Sequence, residues 1–379
     1  ENRLVDELLK RIDTAQFDVT AIPKEWLALL AAYRPIYRIR SIRKHAGKYA
    51  AGGATLFDKL ITRQLTEPLE ELAIRNEIPR LTGVVDSTSV AVRRQYEENP
   101  YPRWLTIFLP RPQRFGDYLR DRFPHISKQG YAFPESPKIL VAGCGTGKHP
   151  IGVASAFVNV QMLAIDLSLA SLAFGIRKSR ERGFNNIEFA QADILEIADL
   201  ERRFDVIESV GVLHHLSDPI KGWRVLCGLL NDGGYMHIGL YSEIARASVV
   251  DVRDLISKHG YRSSDQDIRR LRQHIISLPP QDKNKLLLLY KDFFSTSECR
   301  DLLFHVQEHR FTLPQLATAL DELGLEFLGF ELADPVMLRA YKTRYPQDPS
   351  STSLSFWHQY EVENPHTFAT MYKFWVRKR

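Results

Sequence analysis

Lys138-Ile-Leu-Val-Ala-Gly143-Cys144-Gly145-Thr-Gly147-Lys-His-Pro, followed after a helical pattern by Gln161-Met-Leu-Ala-Ile-Asp166, is the stretch on which the chain turns. Ile139 to Ala142 form a short, unbroken apolar run, as a parallel strand covered on both faces requires. Gly143 and Gly145 permit a tight turn with outward-facing backbone amides, and Gly147 lets the following helix approach the strand closely. A second apolar run, Val160 to Ile165, ends on Asp166, about twenty residues past the glycines, where a carboxylate can accept both hydroxyls of a ribose. The expectation is a nucleoside-cofactor site at the carboxyl edge of a parallel sheet.

Downstream, strands and helices alternate. The spacing predicts a helix over 168–182, a strand Ile187–Gln191 ending in Ala192-Asp193-Ile194, and a strand Phe204–Ser209 leading into Val210-Gly211-Val-Leu-His214-His215. A helix from Trp223 to Leu230 precedes a fifth strand, Tyr235–Leu240, entered through a turn at Gly233-Gly234. After a helical insertion at about 246–310 come a helix over 311–323, a strand Leu325–Phe330, a second insertion at about 333–365, and an aromatic strand Phe368–Arg377. This succession gives an α/β fold with a parallel sheet. Upstream, residues 1–85 read as a helical region, with Leu4, Leu8, Leu9 and Ile12 at helical spacing. Arg34, Arg38, Arg40, Arg43, Lys44 and Lys48, with Tyr33, Tyr37 and Tyr49 among them, read as a solvated basic helix face over packed tyrosines. Residues 86–137 form a connector in which a helix over 90–96 is stopped by Asn99-Pro100-Tyr101-Pro102-Arg103-Trp104. The two prolines fix an extended turn, expected to act as a lid over the remaining domain, residues 138–379.

Composition narrows the class. In 379 residues, 44% apolar and 26% charged side chains are ordinary for a water-soluble globular chain, and a net charge of +5 is too weak to argue for nucleic acid. Cys144, Cys227 and Cys299 are odd in number and far apart, so they form neither a disulfide framework nor a CxxC metal pattern, as expected of a cytoplasmic protein. No apolar run reaches the ~20 residues of a membrane span and no signal peptide is visible. Glu1 in place of methionine leads us to expect a piece of a longer protein.

The ordered set Val-Ala-Gly143-Cys-Gly145-Thr-Gly147, Asp166, Ala-Asp193-Ile and Phe-Asp205-Val-Ile, then Val-Leu-His214-His215-Leu, resembles class I S-adenosylmethionine-dependent methyltransferases. Their fold would be a Rossmann-like seven-stranded sheet with an N-terminal helical region and helical insertions. Gln95-Tyr-Glu-Glu-Asn-Pro-Tyr-Pro-Arg-Trp104, Gly239–Arg246 and Asp301–Arg310 further resemble the methyltransferase region of bacterial proteins that carry tetratricopeptide repeats upstream; no such repeats stand in this sequence. The resemblance implies S-adenosyl-L-methionine as cofactor and S-adenosyl-L-homocysteine as product. It implies that Gly143, Cys144, Gly145 and Gly147 line the methionine moiety and adenosine, that Asp166 holds the ribose, and that Leu167 packs on the adenine. Asp193 would accept from the adenine amino group with Ile194 nearby, and Ser209, Val210 and Gly211 would meet the donor sulfur.

For catalysis the candidates are His214 and His215, just past the fourth strand, and Tyr241 after the fifth. For the acceptor they are Tyr101, Trp104, Glu243, Arg246, His305, Glu308 and His309. His305-Val-Gln-Glu308-His309 matches H-x-x-E-H, and on a helix the two histidines would share a face as paired metal ligands do. No partner carboxylate helix accompanies it, so no metal is expected. Upstream peptide-binding repeats in the similar proteins favour a protein or peptide acceptor. Val-Leu-His-His-Leu also occurs in methyltransferases of small molecules, which keeps a small-molecule enzyme with a lidded pocket as the alternative; a cofactor-binding module without turnover is the third reading. Ser209-Val-Gly-Val stands where an Asn/Asp-Pro-Pro-Tyr/Phe element would follow the fourth strand, and no cysteine is placed to attack a pyrimidine, so nucleic acid is disfavoured. The oligomeric state is left open.

Overall fold

In the computed structural model, β1 (Lys138–Ala142) lies between β2 (Gln161–Asp166) and β4 (Phe204–Val210), with Ile139 opposite both Met162 and Val206. Paired at both edges and packed on both faces, Ile139 to Ala142 are at most 2% exposed, which accounts for their unbroken apolar run. The structure describes residues 2–14, 22–44, 46, 53, 55–332, 334–368 and 371–379.

Seven strands form one sheet in the order β3-β2-β1-β4-β5-β7-β6, adding β3 (Ile187–Gln191), β5 (Leu230–Leu240), β6 (Leu325–Phe330) and β7 (Tyr372–Lys378). β1 to β5 run parallel, whereas β7 is antiparallel to both β5 and β6. This is the expected α/β sheet. Two boundaries differ. β5 begins at Leu230 rather than Tyr235: Gly233-Gly234 is not a turn before the strand but an irregularity within it, where the register against β4 jumps from Phe204↔Leu230 to Val206↔Tyr235 and Gly233 adopts φ +71°. β7 begins at Tyr372, and Phe368 instead packs as a buried ring against Phe330 and Tyr372.

The chain divides into two compact units, 1–77 and 78–379. The division falls ahead of residue 85 because Pro79 to Leu81 are tied to the end of β3: Gln191 N donates to Pro79 O (2.8 Å) and Leu81 N to Gln191 O (2.9 Å). In the first unit, α1 (Asn2–Thr14), α2 (Lys24–Tyr33), α3 (Arg40–Lys44), α4 (Leu56–Ile61) and α5 (Glu67–Ile74) enclose a core that includes Val5, Leu27, Leu30, Ile36, Ile42 and Leu65. Thr55 and Asp58 cap α4 reciprocally. Arg34, Arg38, Arg40, Arg43 and Lys44 are exposed as expected, but Ile36 and Ile42 form the buried side, while Tyr33 is 46% exposed. Lys48 and Tyr49 lie outside the described residues.

In the second unit, α6 (Ser87–Glu98) and α7 (Phe115–Arg122) belong to the connector. The sheet's crossovers are α8 (Lys148–Ala156), α9 (Leu169–Glu181) and α10 (Pro219–Leu229). The first insertion holds α11 (Ala247–His259), α12 (Asp265–Ser277) and α13 (Thr296–Phe304) around a core of their own that includes Val249, Val252, Ile268, Leu271, Phe293 and Cys299. α14 (Leu313–Glu322), capped by Thr312, precedes β6, and α15 (Pro335–Arg344) and α16 (Leu354–Glu363) form the second insertion. Among the described residues no helix is long and apolar enough to cross a membrane.

Candidate active site

The turn after β1 is fixed on β2: Gly143 N and Cys144 N both donate to Ile165 O at 2.9 Å. Only glycine satisfies the geometry at Gly143, where φ is +80° and an added Cβ would lie 2.4 Å from the Val212 side chain. Gly147 has φ +78°, and a Cβ there would lie 2.7 Å from Gly175 Cα, so this glycine sets the closeness of α8 to α9. Gly145 N donates to Asp166 Oδ2 (2.8 Å) and Ser168 N to Asp166 Oδ1 (2.9 Å). Burial pushes the Asp166 carboxyl up to about 6, partly opposed by these two N–H groups. Asp193 is fully buried; its Oδ1 accepts from Leu195 N (3.0 Å), while Oδ2 has no hydrogen-bond partner. A buried acceptor without a donor is costly unless a ligand supplies one.

A cavity of about 920 Å³ opens over these strand ends. Of the residues expected at the cofactor, Gly143, Cys144, Gly145, Asp166, Leu167, Asp193, Ile194, Val210 and Gly211 line it. Two do not. Gly147 faces α9, and Ser209 is fully buried within β4, because neighbouring strand residues point to opposite faces. The donor set suits a nucleoside: Asp166 for ribose hydroxyls, the unpartnered Asp193 Oδ2 for an amino group, and a cradle at Gly145 that a side chain would narrow against Tyr101 O (3.3 Å from an added Cβ).

One arm of the cavity is lined by Tyr96, Tyr101, Tyr241, Arg246, Tyr290, Lys291, Asp292 and Asp301. The Tyr96 hydroxyl donates to Asp301 Oδ1 (2.8 Å) and lies 3.2 Å from His305 Nε2. Burial pushes the Asp301 carboxyl up to about 7, although the Tyr96 hydrogen bond and the Arg246 charge draw it down. Arg246 lies over the Tyr241 ring at 3.9 Å and pairs with Glu308; both side chains are buried, and Arg253 Nη1 adds a second contact to Glu308 at 3.3 Å. The far arm is lined by Tyr118, His149, Glu208, His237 and Glu331.

The expected catalytic residues separate. Tyr241 and His215 reach the cavity, but His214 does not: it is fully buried and stacks on Tyr241 at 3.8 Å. His215 stacks on His305 at 3.6 Å, and its Nδ1 lies 2.7 Å from Gln307 O. Burial holds His214 and His215 well below the usual imidazole range and lowers His305 to about 2, so all three rings are neutral.

Of the residues expected at the acceptor, Tyr101 and Arg246 line the cavity. Trp104 is 5% exposed behind the glycine turn, where Nε1 donates to Thr146 O (3.2 Å) and the ring meets Phe174 edge-on. Glu243 pairs with Arg310 at 3.2 Å, away from the cavity. The H-x-x-E-H segment is not helical. α13 stops at Phe304, and His305 is extended (φ −60°, ψ 137°), so His305 and His309 do not share a face. His305 turns to His215, Glu308 to Arg246, and the His309 backbone N–H to His214 O (2.8 Å). Sequence reasoning gave no site role to Tyr96, Asp301, Tyr290 or Asp292: the first two stand in stretches that carry the family resemblance, and Tyr290 and Asp292 are single residues in the short turns between α12 and α13.

Residues 135–277 match the family model described as a methyltransferase domain. An uncharacterised protein of Synechococcus sp. is 31% identical over 275 residues, covering 69% of this chain and 64% of that protein. A malonyl-[acyl-carrier protein] O-methyltransferase of Paenibacillus sp. is 35% identical over 101 residues, 26% of this chain and 36% of that protein. Among solved structures, PKMT2 from Rickettsia typhi in complex with AdoHcy shares the fold with a TM-score of 0.54 at 19% identity, over 71% of this chain and 55% of that one. The chain thus spans less than two thirds of the length of each of these proteins.

Proposed function

We propose that this chain, whose residues 135–277 form a class I S-adenosylmethionine-dependent methyltransferase domain, transfers a methyl group to an amine nitrogen on a protein or peptide side chain. The observation that carries the reading is the arm in which Asp292 and Asp301 stand with Tyr96, Tyr101, Tyr241 and Tyr290 beside the cofactor end of one cavity. Carboxylates and aromatic faces attract an ammonium group, and enclosure strengthens both interactions.

S-adenosylmethionine, when bound, supplies a methyl group on an electrophilic sulfonium. Gly143 to Gly145, Asp166 and Asp193 hold that donor through the backbone turn, the ribose hydroxyls and the adenine amino group. An amine attacks only through a free lone pair, so its ammonium proton must leave first. The Asp301 carboxyl, pushed up to about 7, is matched to receive it near neutral pH, and Tyr96 orients it through Oδ1. Positioning supplies the rest of the rate. The neutral rings of His214, His215 and His305 are packed beneath this arm and support Tyr241.

A small-molecule acceptor in a lidded pocket is favoured by a different observation: the Tyr101 backbone carbonyl lies over Gly145, so the connector covers part of the cavity. Labelled-methyl transfer into fractionated lysate decides between them. The expected result is label in macromolecules that is released on hydrolysis as N-methylated amino acid. Label confined to small metabolites favours the lidded pocket, and tight AdoHcy binding with no transfer leaves a binding module.

A further inference from the structure

At the far arm of the cavity, three residues distant in sequence converge on one atom. His149 Nε2 lies 2.6 Å, and His237 Nδ1 3.1 Å, from the same oxygen of Glu208, Oε2. One nitrogen from each ring and this oxygen all lie within 4.8 Å of one another. Their backbones are held independently: Glu208 and His237 face each other across the β4–β5 ladder, and His149 sits in the first turn of α8. We propose that His149, Glu208 and His237 form a site for a divalent cation of the zinc class, with its open position toward the cavity.

Two imidazoles and one carboxylate are a donor set that borderline divalent metals take, leaving the fourth position to water or another oxygen ligand. Metal bonds of ~2.0–2.2 Å place neighbouring ligand atoms roughly 3.2–3.5 Å apart, so an ion requires only a slight opening of this cluster. The surroundings supply what such a site needs behind its ligands. His237 is 6% exposed, its Nε2 has no hydrogen-bond partner, and Glu331 Oε2 lies 3.4 Å from that nitrogen. With His237 Nδ1 on the metal, Nε2–H points toward a carboxylate, the usual carboxylate–histidine–metal order. Glu331 is itself held by Tyr118 (2.8 Å), Arg122 (2.8 Å) and Trp375 (3.1 Å), and the Trp375 ring stacks on His237 at an interplanar angle of 2°. His149 is the half-exposed ligand and gives the ion its route in. The H-x-x-E-H segment, by contrast, turns its three side chains toward different partners and offers no common point.

The test uses the full chain, purified without chelator and without a histidine tag, and read by elemental analysis and by titration with Zn²⁺ and with Co²⁺. The expected result is about one equivalent of bound metal per chain, with visible absorption of the Co²⁺ form typical of low coordination number. His149→Asn, at the half-exposed ligand, should reduce binding to background while circular dichroism shows an unchanged fold. Glu331→Gln, which leaves all three ligands in place but removes the carboxylate behind His237 together with its ion pair to Arg122, should weaken Zn²⁺ affinity roughly 10–100-fold. No saturable binding of either ion would overturn the proposal and leave a network joined by protons alone. Binding that survives in both variants would overturn it too, since the ion would then sit elsewhere. The proposal is independent of the identity of the methyl acceptor.

Discussion

The two ends of the cavity are built by opposite means. At the donor end, the decisive atoms are backbone amides and two carboxylates placed by the ends of β1, β2 and β3, all within the span from Gly143 to Asp193. At the proposed acceptor end, Tyr96, Tyr241 and Asp301 come from the connector, the end of β5 and the first insertion; the hydrogen bond joining Tyr96 to Asp301 crosses 205 positions of sequence. The donor end depends on conformation, which a glycine turn specifies locally. The acceptor end depends on enclosing charged and aromatic groups, which only the packed insertions specify. On the proposed reading, exchanging an insertion should alter the acceptor and leave the donor cradle undisturbed.

The largest expected effect breaks the donor end alone. Gly143→Val places side-chain atoms on Val212 at a backbone φ of +80°, and AdoHcy affinity in calorimetry should fall by more than ~100-fold. Gly260→Ala is the contrast: φ is +68° but nothing lies within 4 Å of the added Cβ, so it should cost only about 1 kcal/mol of stability and leave affinity unchanged. Asp166→Asn should weaken AdoHcy roughly 10–100-fold, because charge-assisted bonds to the ribose become neutral ones. With Asp166 pushed up to about 6, binding of the ionised form must release a proton at lower pH. AdoHcy affinity of the unmodified chain should therefore drop as pH falls through about 6, by at most tenfold per pH unit.

The converse substitution tests whether the ends are separable. Asp301→Asn should lower kcat/KM for the methyl acceptor about 10–100-fold while AdoHcy affinity changes less than twofold. An equal loss in both would break the distinction. The same variant has a readout without substrate. A carboxyl whose folded pKa lies above its unfolded value binds more protons in the folded state, so its contribution to stability is lost as pH rises from about 4 toward 7. Asp301→Asn should melt higher than the unmodified chain at about pH 8, with the gap narrowing as pH falls from about 7 toward 4. An effect as small as that of Gly260→Ala belongs to Trp104→Phe, which removes the Nε1 bond to Thr146 O behind the cradle; thermal unfolding should register a loss of about 0.5–1.5 kcal/mol.

How much of this the sequence discloses follows the same division. β3 and β6, the two edge strands, have the bounds their residue patterns predict, with β3 ending two residues before Asp193 and β6 starting just past Gly324. Gly143, Gly145 and Asp166 are legible for a related reason: a tight turn and a strand-terminal carboxylate each write a pattern a few residues long. Gly147 and Ser209 stand off the cavity wall because adjacency in the chain is not adjacency in space. His305 to His309 mislead because H-x-x-E-H carries meaning only on a helix, and α13 ends at Phe304, before the motif begins. The pairing of Asp301 with Tyr96 and the meeting of His149, Glu208 and His237 leave no local trace, since the fold alone makes neighbours of residues up to 205 positions apart.

β7, lodged between β5 and β6, has a consequence for how the molecule is made. When a ribosome has delivered β5, the edge of that strand stays unpaired until residues 372–378 emerge, more than a hundred residues later. Until then Ile238 and Leu240 offer a ready template for strands of other chains. A nascent chain arrested before Tyr372 should therefore be captured by holdase chaperones and cleaved readily by protease, and the addition of a few aromatic residues should release it.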